Sequence, residues 1–327
     1  MIINFFKRPL PLVLATIIGI GILLWLKPFL GLTVNTIALN TNQMPFFDLI
    51  FRHLGENRLL GKIISFAVMM ITSFYLVQLS SKFILIRSRT YFPALIFILL
   101  TASFPVFQGL NPALFASFFL ALALNHTFQI YETKKPHNSI FMAGFYCALA
   151  SLFYISATTF MLVLFISLLI TGTLNYRFWL IPVTGFITPW FFVFIYHYLW
   201  MSNPAAPVEI IKSALNSNTQ PNHNAFTYIH IAIIGVIIVI SLAYLLNMLQ
   251  LQKINIRKFH GILIWFSLIS VVSVFVLPTC SFENIYIIAI PVSFQISQFL
   301  ASSRSRYWPS IILVTLFTLT AVQQIIS

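Results

Sequence analysis

Long runs of apolar residues, separated by short polar segments, dominate this chain. Most of these runs are close in length to the about 20 residues that a helix needs to cross a bilayer. Charged residues make up only 7% of the 327 residues, whereas soluble domains carry roughly a quarter. We therefore predict an all-α polytopic membrane protein that forms a single integral membrane domain over 1–327. The runs cover 10–29, 62–80, 91–107, 112–130, 139–174, 178–199, 228–249, 261–278, 285–301 and 308–326.

The run 139–174 is too long for one crossing. As a helix it would measure roughly 54 Å, against a hydrocarbon core of about 30 Å. We predict a break at residues 156–159, Ser-Ala-Thr-Thr, because short polar and β-branched side chains can satisfy backbone groups at a tight turn. The prediction is then about eleven transmembrane helices.

Basic residues give the expected orientation, because lysine and arginine collect in cytoplasmic loops. With eleven spans in a bacterial inner membrane, a cytoplasmic N-terminus and an outer C-terminus, thirteen of the eighteen basic residues lie inside. The net charge of +13 is thus explained by topology, and we expect membrane lipid as a partner and no nucleic acid. The inner residues are Lys7, Arg8, Lys82, Arg87, Arg89, Lys134, Lys135, Arg177, Lys253, Arg257, Lys258, Arg304 and Arg306.

Two outer loops, 31–61 and 200–227, are long enough to carry function. The first predicts a short amphipathic helix over 48–60, and the second an irregular loop with one helical turn around 209–215. Glu132 is the one acid on the inner side. The other four lie outside: Asp48, Glu56, Glu209 and Glu283.

The first outer loop holds the candidate site. Asp48 could act as a base, while neighbouring cations grip a lipid phosphate or pyrophosphate. The structural alternative is that Asp48 and Arg52, four residues apart, pair on one helix face for a few tenths of a kcal/mol. Lys212 in the second loop is a further candidate phosphate contact, although a lone lysine in a polar loop is usually just solvated. Glu283 with Asn284 and Tyr286 indicates a helix start more often than a ligand site. The other members of the cluster are His53, Glu56, Arg58 and Lys62.

Several classes of chemistry have no motif in this chain. It contains no glycine-rich phosphate loop, zinc-type histidine pair, nucleophile elbow or paired cysteine motif, so we expect no cofactor and no metal. Cys147 and Cys280 are interpreted as small apolar residues. Because the predicted spans hold no acid at their centres, a coupled transporter is disfavoured.

An acid in the first outer loop is followed by four segments: LLGK at 59–62, TASFP at 101–105, NPALFASFF at 111–119 and AGFYCALA at 143–150. Through this layout, residues 1–180 resemble the integral-membrane glycosyltransferases of the C-fold class, which use polyprenyl-phosphate sugars. In that class the first-loop acid acts as, or assists, the catalytic base, which corresponds to Asp48. A second acid commonly stands where span four begins. Here that position is Asn111, which can orient an acceptor but cannot take its proton.

Most of the chain also resembles an uncharacterised family of bacterial multipass membrane proteins, through SLFY at 151–154 and RFWLIP at 177–182. That likeness implies no activity. Three hypotheses follow for the function. The protein transfers or binds sugar from a polyprenyl-phosphate-linked donor on the outer face, or it is a non-enzymatic subunit or scaffold of an envelope assembly, or it is a small-molecule permease.

Overall fold

The computed structural model describes most of the chain, and in these residues all regular structure is helical. The described ranges are 5–6, 11–31, 44–54, 58–86, 88–133, 136–172, 176–200, 206–216, 225–276, 282–303 and 307–326. The α-helices with described bounds are α1 (Pro11–Leu24), α2 (Leu26–Phe29), α3 (Pro45–Leu54), α4 (Arg58–Lys82), α5 (Phe92–Thr101), α6 (Pro112–Glu132), α7 (His137–Phe153), α8 (Phe160–Thr171), α9 (Tyr176–Trp200), α10 (Ala206–Asn216), α11 (Ala225–Leu249), α12 (Ile254–Val276), α13 (Ile285–Ser302) and α14 (Trp308–Ile326). Short 3-10 turns cover Pro105–Phe107, Ile155–Thr159 and Phe282–Asn284.

Seven of the described helices are long and apolar enough to cross a membrane: α4, α6, α9, α11, α12, α13 and α14. Helix α1 and helix α5 are apolar but shorter, with 14 and 10 residues. The chain is therefore a multipass membrane protein, as its composition predicts. Eleven crossings remain a prediction, because four of the predicted spans correspond to shorter helices.

The predicted break inside 139–174 is present. Helix α7 ends at Phe153, the turn Ile155–Thr159 follows, and α8 begins at Phe160. The Thr159 hydroxyl donates to the Ser156 carbonyl over 2.8 Å within this turn. Local side-chain bonds thus satisfy backbone groups at the break, for the reason expected from the sequence.

Helices α7 and α9 run in the same direction. His137 stacks on Phe178 near their N-termini, with ring centroids 5.0 Å apart. Trp190 Nε1 donates to Ser151 Oγ over 3.0 Å toward their C-termini. Helix α8, which joins them, must therefore run back along the bundle, so α7 and α8 form a hairpin.

Two glycines allow α7 and α9 to approach backbone to backbone. A Cβ atom on Gly144 would lie 2.2 Å from the Pro182 carbonyl oxygen, and one on Gly185 would lie 2.3 Å from the Phe141 carbonyl oxygen. Any larger residue would push the helices apart. Small residues at such contacts are typical of helix packing in membranes.

One end of the bundle gathers most of the polar connections, and we call it the loop-rich end. It is defined by α3, residues 102–111, the turns Ile155–Thr159 and Phe282–Asn284, and the last turn of α14. Distant segments are tied together here: Tyr286 Oη donates to the Phe107 carbonyl over 3.0 Å, and Gln324 Nε2 donates to the Ala102 carbonyl over 2.8 Å.

Two helices at this end differ in length from the predictions. The amphipathic helix expected over 48–60 is α3, which begins at Pro45 and ends at Leu54, and α4 begins at Arg58. Proline favours the first turn of a helix, which explains the earlier start. In the second loop, the expected single turn around 209–215 is the eleven-residue helix α10.

Candidate functional site

Helix α3 holds Asp48 at the loop-rich end. Its phenylalanines face inward: Phe46 lies 5.8 Å from the Phe153 ring of α7, and Phe47 lies 6.4 Å from the Phe115 ring of α6. Asp48 is half-buried beside them, and Leu49 is exposed. The carboxyl therefore lies at the boundary between the bundle and its surroundings.

The remainder of the predicted phosphate-binding cluster is described only in part. Arg52 and His53 belong to α3, and Arg58 begins α4, but their side chains lie outside the described residues, as does the whole of Glu56. Their proximity to Asp48 therefore remains a prediction.

Two lysines at this end bind carbonyls at helix C-termini. Lys62 is buried, 7% exposed, and its ammonium group donates to the Pro28 carbonyl of α2. Lys27 Nζ donates to the Ile325 carbonyl of α14 over 3.3 Å. Such carbonyls have no partner within their own helix and carry the negative end of its dipole. These contacts give Lys62 a structural role in addition to the predicted phosphate contact.

Asn111 caps α6. Its side-chain oxygen accepts a hydrogen bond from the Ala113 backbone N–H over 2.9 Å. The residue is fully buried, and its side-chain Nδ2 has no partner among the described residues. The side-chain oxygen of Asn111 is thus used to cap α6, whereas its amino group can still donate a hydrogen bond to another molecule.

Lys212 is exposed on α10, as is Glu209. The opposite side of α10 contributes Ile210 and Ile211 to an apolar cluster around Trp190, which also includes Met44 just before α3. Helix α10 and the start of α3 therefore pack on the same apolar cluster. Lys212 itself points away from it.

A buried amide network, which the sequence analysis did not single out, lies between α14 and the 102–111 segment. Gln324 Nε2 lies 3.2 Å from Gln108 Oε1, and both side chains donate to the Ala102 carbonyl. Next to it, Gln323 Nε2 donates to Thr227 Oγ1 over 3.2 Å. In the sequence, the signal for this network is the pair Gln323 and Gln324 near the end of the apolar run 308–326.

His230 lies beside this network in α11. It is fully buried, and its ring stands 5.3 Å from that of Phe104. Its ring nitrogens make no well-formed hydrogen bond with the described residues, but the Gln323 side chain lies close enough to pair with the ring. His230 is therefore a further polar group of this network.

Glu283 occupies the turn before α13 and is 7% exposed. It has no hydrogen-bond or ion-pair partner in the part of the chain that the structure describes. Burial raises the pKa of its carboxyl to about 7. The next residue, Asn284, donates through Nδ2 to the Ser270 carbonyl and to Ser273 Oγ. The predicted helix start at this position is confirmed, but it also holds a buried carboxyl.

Within the described ranges, no group of three or more histidine, cysteine or acidic side chains is arranged to hold a metal ion. The buried Cys147 is a free thiol, and its Sγ lies 3.7 Å from the Ala157 carbonyl oxygen. The loop-rich end instead carries carboxyl, amide and imidazole groups, which can form hydrogen bonds and transfer protons.

Comparison with protein families shows which family the chain belongs to. A family model matches residues 29–325, nearly its whole length. The chain belongs to DUF6427. This is described as a family of unknown function, which agrees with the predicted likeness to an uncharacterised multipass family. No curated protein and no solved structure matches the chain. The glycosyltransferase likeness thus gains no support from these comparisons.

Proposed function

We propose that the chain is a glycosyltransferase-like protein of the bacterial inner membrane, which binds or transfers the sugar of a polyprenyl-phosphate-linked donor at the loop-rich end. The placement of Asp48 carries this proposal. Helix α3 anchors its phenylalanines on α6 and α7 and leaves the carboxyl half-buried where a lipid-borne substrate would meet water. A carboxylate in that position suits a general base for an acceptor hydroxyl.

The buried amides support the sugar-binding part of the proposal. Gln108, Gln323 and Gln324 each carry both donors and acceptors, which are the groups that neutral hydroxyls pair with. The phosphate would be held by Arg52, Arg58 and Lys62, with Lys212 at the surface. Asn111 would present its amino group to the acceptor.

The proposed topology has eleven crossings, with the loop-rich end outside, the N-terminus in the cytoplasm and the C-terminus outside. The hairpin of α7 and α8 supports this arrangement, because two crossings of 139–174 keep the later basic segments on the inner side. In this proposed topology, Asp48 and the amide network lie on the same face of the membrane.

A reconstitution experiment tests the proposal. The purified chain is incubated in vesicles with a radiolabelled polyprenyl-phosphate sugar, and bound and transferred label are measured. Asp48→Asn is expected to abolish transfer while leaving donor binding intact, and Glu209→Gln, at an exposed acid of α10, is the matched control. Transfer by Asp48→Asn at the wild-type rate would remove Asp48 from the mechanism. Failure of the wild type to bind any such donor would end the proposal.

A non-enzymatic subunit is the second candidate, and the cap at Asn111 favours it. The side chain that stands in place of a second acid has its oxygen bound to the Ala113 N–H, as expected where stability is retained without catalysis. This function predicts that Asp48→Asn is tolerated in the cell and that one partner is recovered consistently after crosslinking and purification. A purification that recovers the chain alone would count against it.

A further inference from the structure

The Glu283 carboxyl is a buried acid without a countercharge in the described structure. It lies on the turn Phe282–Asn284, which packs against α12 and α13. An isolated carboxylate in such surroundings is costly, so it is either protonated or neutralised by a positive charge. The described groups around it do not supply that charge.

The titratable groups on the neighbouring elements are few. On α13 the phenol of Tyr286 is close enough for the Glu283 charge to act on it. The last two turns of α12, residues 270–276, and the segment 102–111 contain no titratable side chain. Cys280 lies in 277–281, outside the described residues.

The neighbouring polar side chains present oxygen lone pairs instead of donors. Asn284 uses Nδ2 for two bonds to α12, and its Oδ1 is buried without a partner among the described residues. Tyr286 donates its hydroxyl hydrogen to the Phe107 carbonyl over 3.0 Å. Carboxylate, amide and phenol oxygens therefore occur within four consecutive residues, with their hydrogens already used.

We propose that Glu283, together with the side-chain oxygens of Asn284 and Tyr286, binds a monovalent cation, either a metal ion or an ammonium group. One positive charge neutralises the one carboxylate, and oxygen atoms are the ligands that hard cations prefer. A divalent ion would leave a net charge in a buried site and usually takes several carboxylates. This inference is independent of the proposed sugar chemistry.

A proton-release measurement tests the site with the wild-type chain alone. The full-length protein in detergent is placed in weak buffer at pH 7, with N-methylglucamine chloride keeping the ionic strength constant, and NaCl, KCl or methylammonium chloride is added. Because the carboxyl pKa is about 7, binding is expected to release about half a proton per chain. Release with the metal salts identifies a metal ion, and release with methylammonium identifies an ammonium group. No release with any of the three overturns the proposal.

Variants give a second, separate readout. In Glu283→Gln, both the proton release and any cation-dependent rise in Tm at pH 8 are expected to vanish, whereas the exposed-acid control Glu209→Gln should retain both. Tyr286→Phe keeps the carboxyl but loses one oxygen, so an affinity loss of about tenfold is expected. Proton release from Glu283→Gln equal to that of the wild type would sink the idea, as would a Tyr286→Phe affinity equal to that of the wild type.

Discussion

Asp48 and Glu283 are carboxyls at the same end of the bundle, in opposite environments. Asp48 belongs to a surface helix that buries its aromatic side and leaves the acid half-exposed. Glu283 is held between two spans and is 7% exposed. An exposed acid can exchange protons with a visiting substrate, whereas a buried acid needs a proton or a bound charge. This difference in environment is the reason that we propose proton transfer for Asp48 and cation binding for Glu283.

The largest expected effect separates the two acids by turnover. Asp48→Asn should lower sugar transfer by about 100-fold or more, since a lost general base costs 10²–10⁴-fold. Glu283→Gln should change it by less than about threefold. Single-turnover transfer of label from the polyprenyl-phosphate donor measures both. If Glu283→Gln lowered sugar transfer more than Asp48→Asn did, Glu283 and not Asp48 would be the catalytic carboxyl.

The next effect is on stability and its pH dependence. Burial raises the Glu283 pKa from 4.5 to about 7, so folding favours the protonated form. That stabilisation is fully present below about pH 4.5 and is lost as the pH rises through 7. The shift corresponds to about 3 kcal/mol.

Glu283→Gln, which stays neutral, should therefore match the wild type near pH 4.5 and be more stable by up to about 3 kcal/mol at pH 8. Unfolding in N-methylglucamine chloride, followed by tryptophan fluorescence, measures the difference. Parallel pH profiles for the two proteins would show that Glu283 is not a buried acid.

A smaller effect tests how Glu283 is held in place. Asn284→Ala removes two hydrogen bonds to α12, at 2.9 and 3.0 Å. Hydrogen bonds between helices in membranes are worth about 0.6 kcal/mol each on average, so a loss of about 1 kcal/mol is expected. Asn284→Asp keeps an acceptor but no amino group, and serves as the comparison. Unfolding midpoints in detergent give both values, and an unchanged Asn284→Ala midpoint would contradict the described contacts.

A comparable stability effect concerns Asn111, which caps α6. Asn111→Ala should cost about 1 kcal/mol through loss of the α6 cap, whereas Asn111→Asp should stay within about 0.5 kcal/mol, because Asp caps as well as Asn. If the site is glycosyltransferase-like, Asn111→Asp also restores a second acid and should raise transfer. Equal destabilisation by both substitutions would contradict the capping role.

Much of the helical pattern could be predicted from the sequence, because each step was local. The break at residues 156–159 followed from a length limit and from short polar side chains, and the turn Ile155–Thr159 lies there. The apolar spacing also predicts α3, with an error of three residues at its start and six at its end. Short segments likewise indicated that most of the chain belongs to an uncharacterised family, and the family model matches residues 29–325.

The site was less predictable. Asp48 is recognisable as a candidate because its segment is polar. Glu283 stands in an apolar stretch, where the pattern indicates no more than a helix start. The functions of Lys62 and Asn111 in the fold, one on the Pro28 carbonyl and one on the Ala113 N–H, were also missed. Each depends on a neighbour whose position sequence spacing alone did not reveal.

The sequence by itself determined that this chain is helical and lies in a membrane, because backbone groups in lipid must be satisfied within each helix and the apolar runs are long enough to do so. Only the tertiary structure decided which polar groups meet. Gln108 and Gln324 are 216 residues apart in the chain and yet hydrogen-bonded, and Glu283 meets no countercharge among the described residues that pack around it. Contacts between helices depend on how whole helices fit together, and no local pattern specifies them.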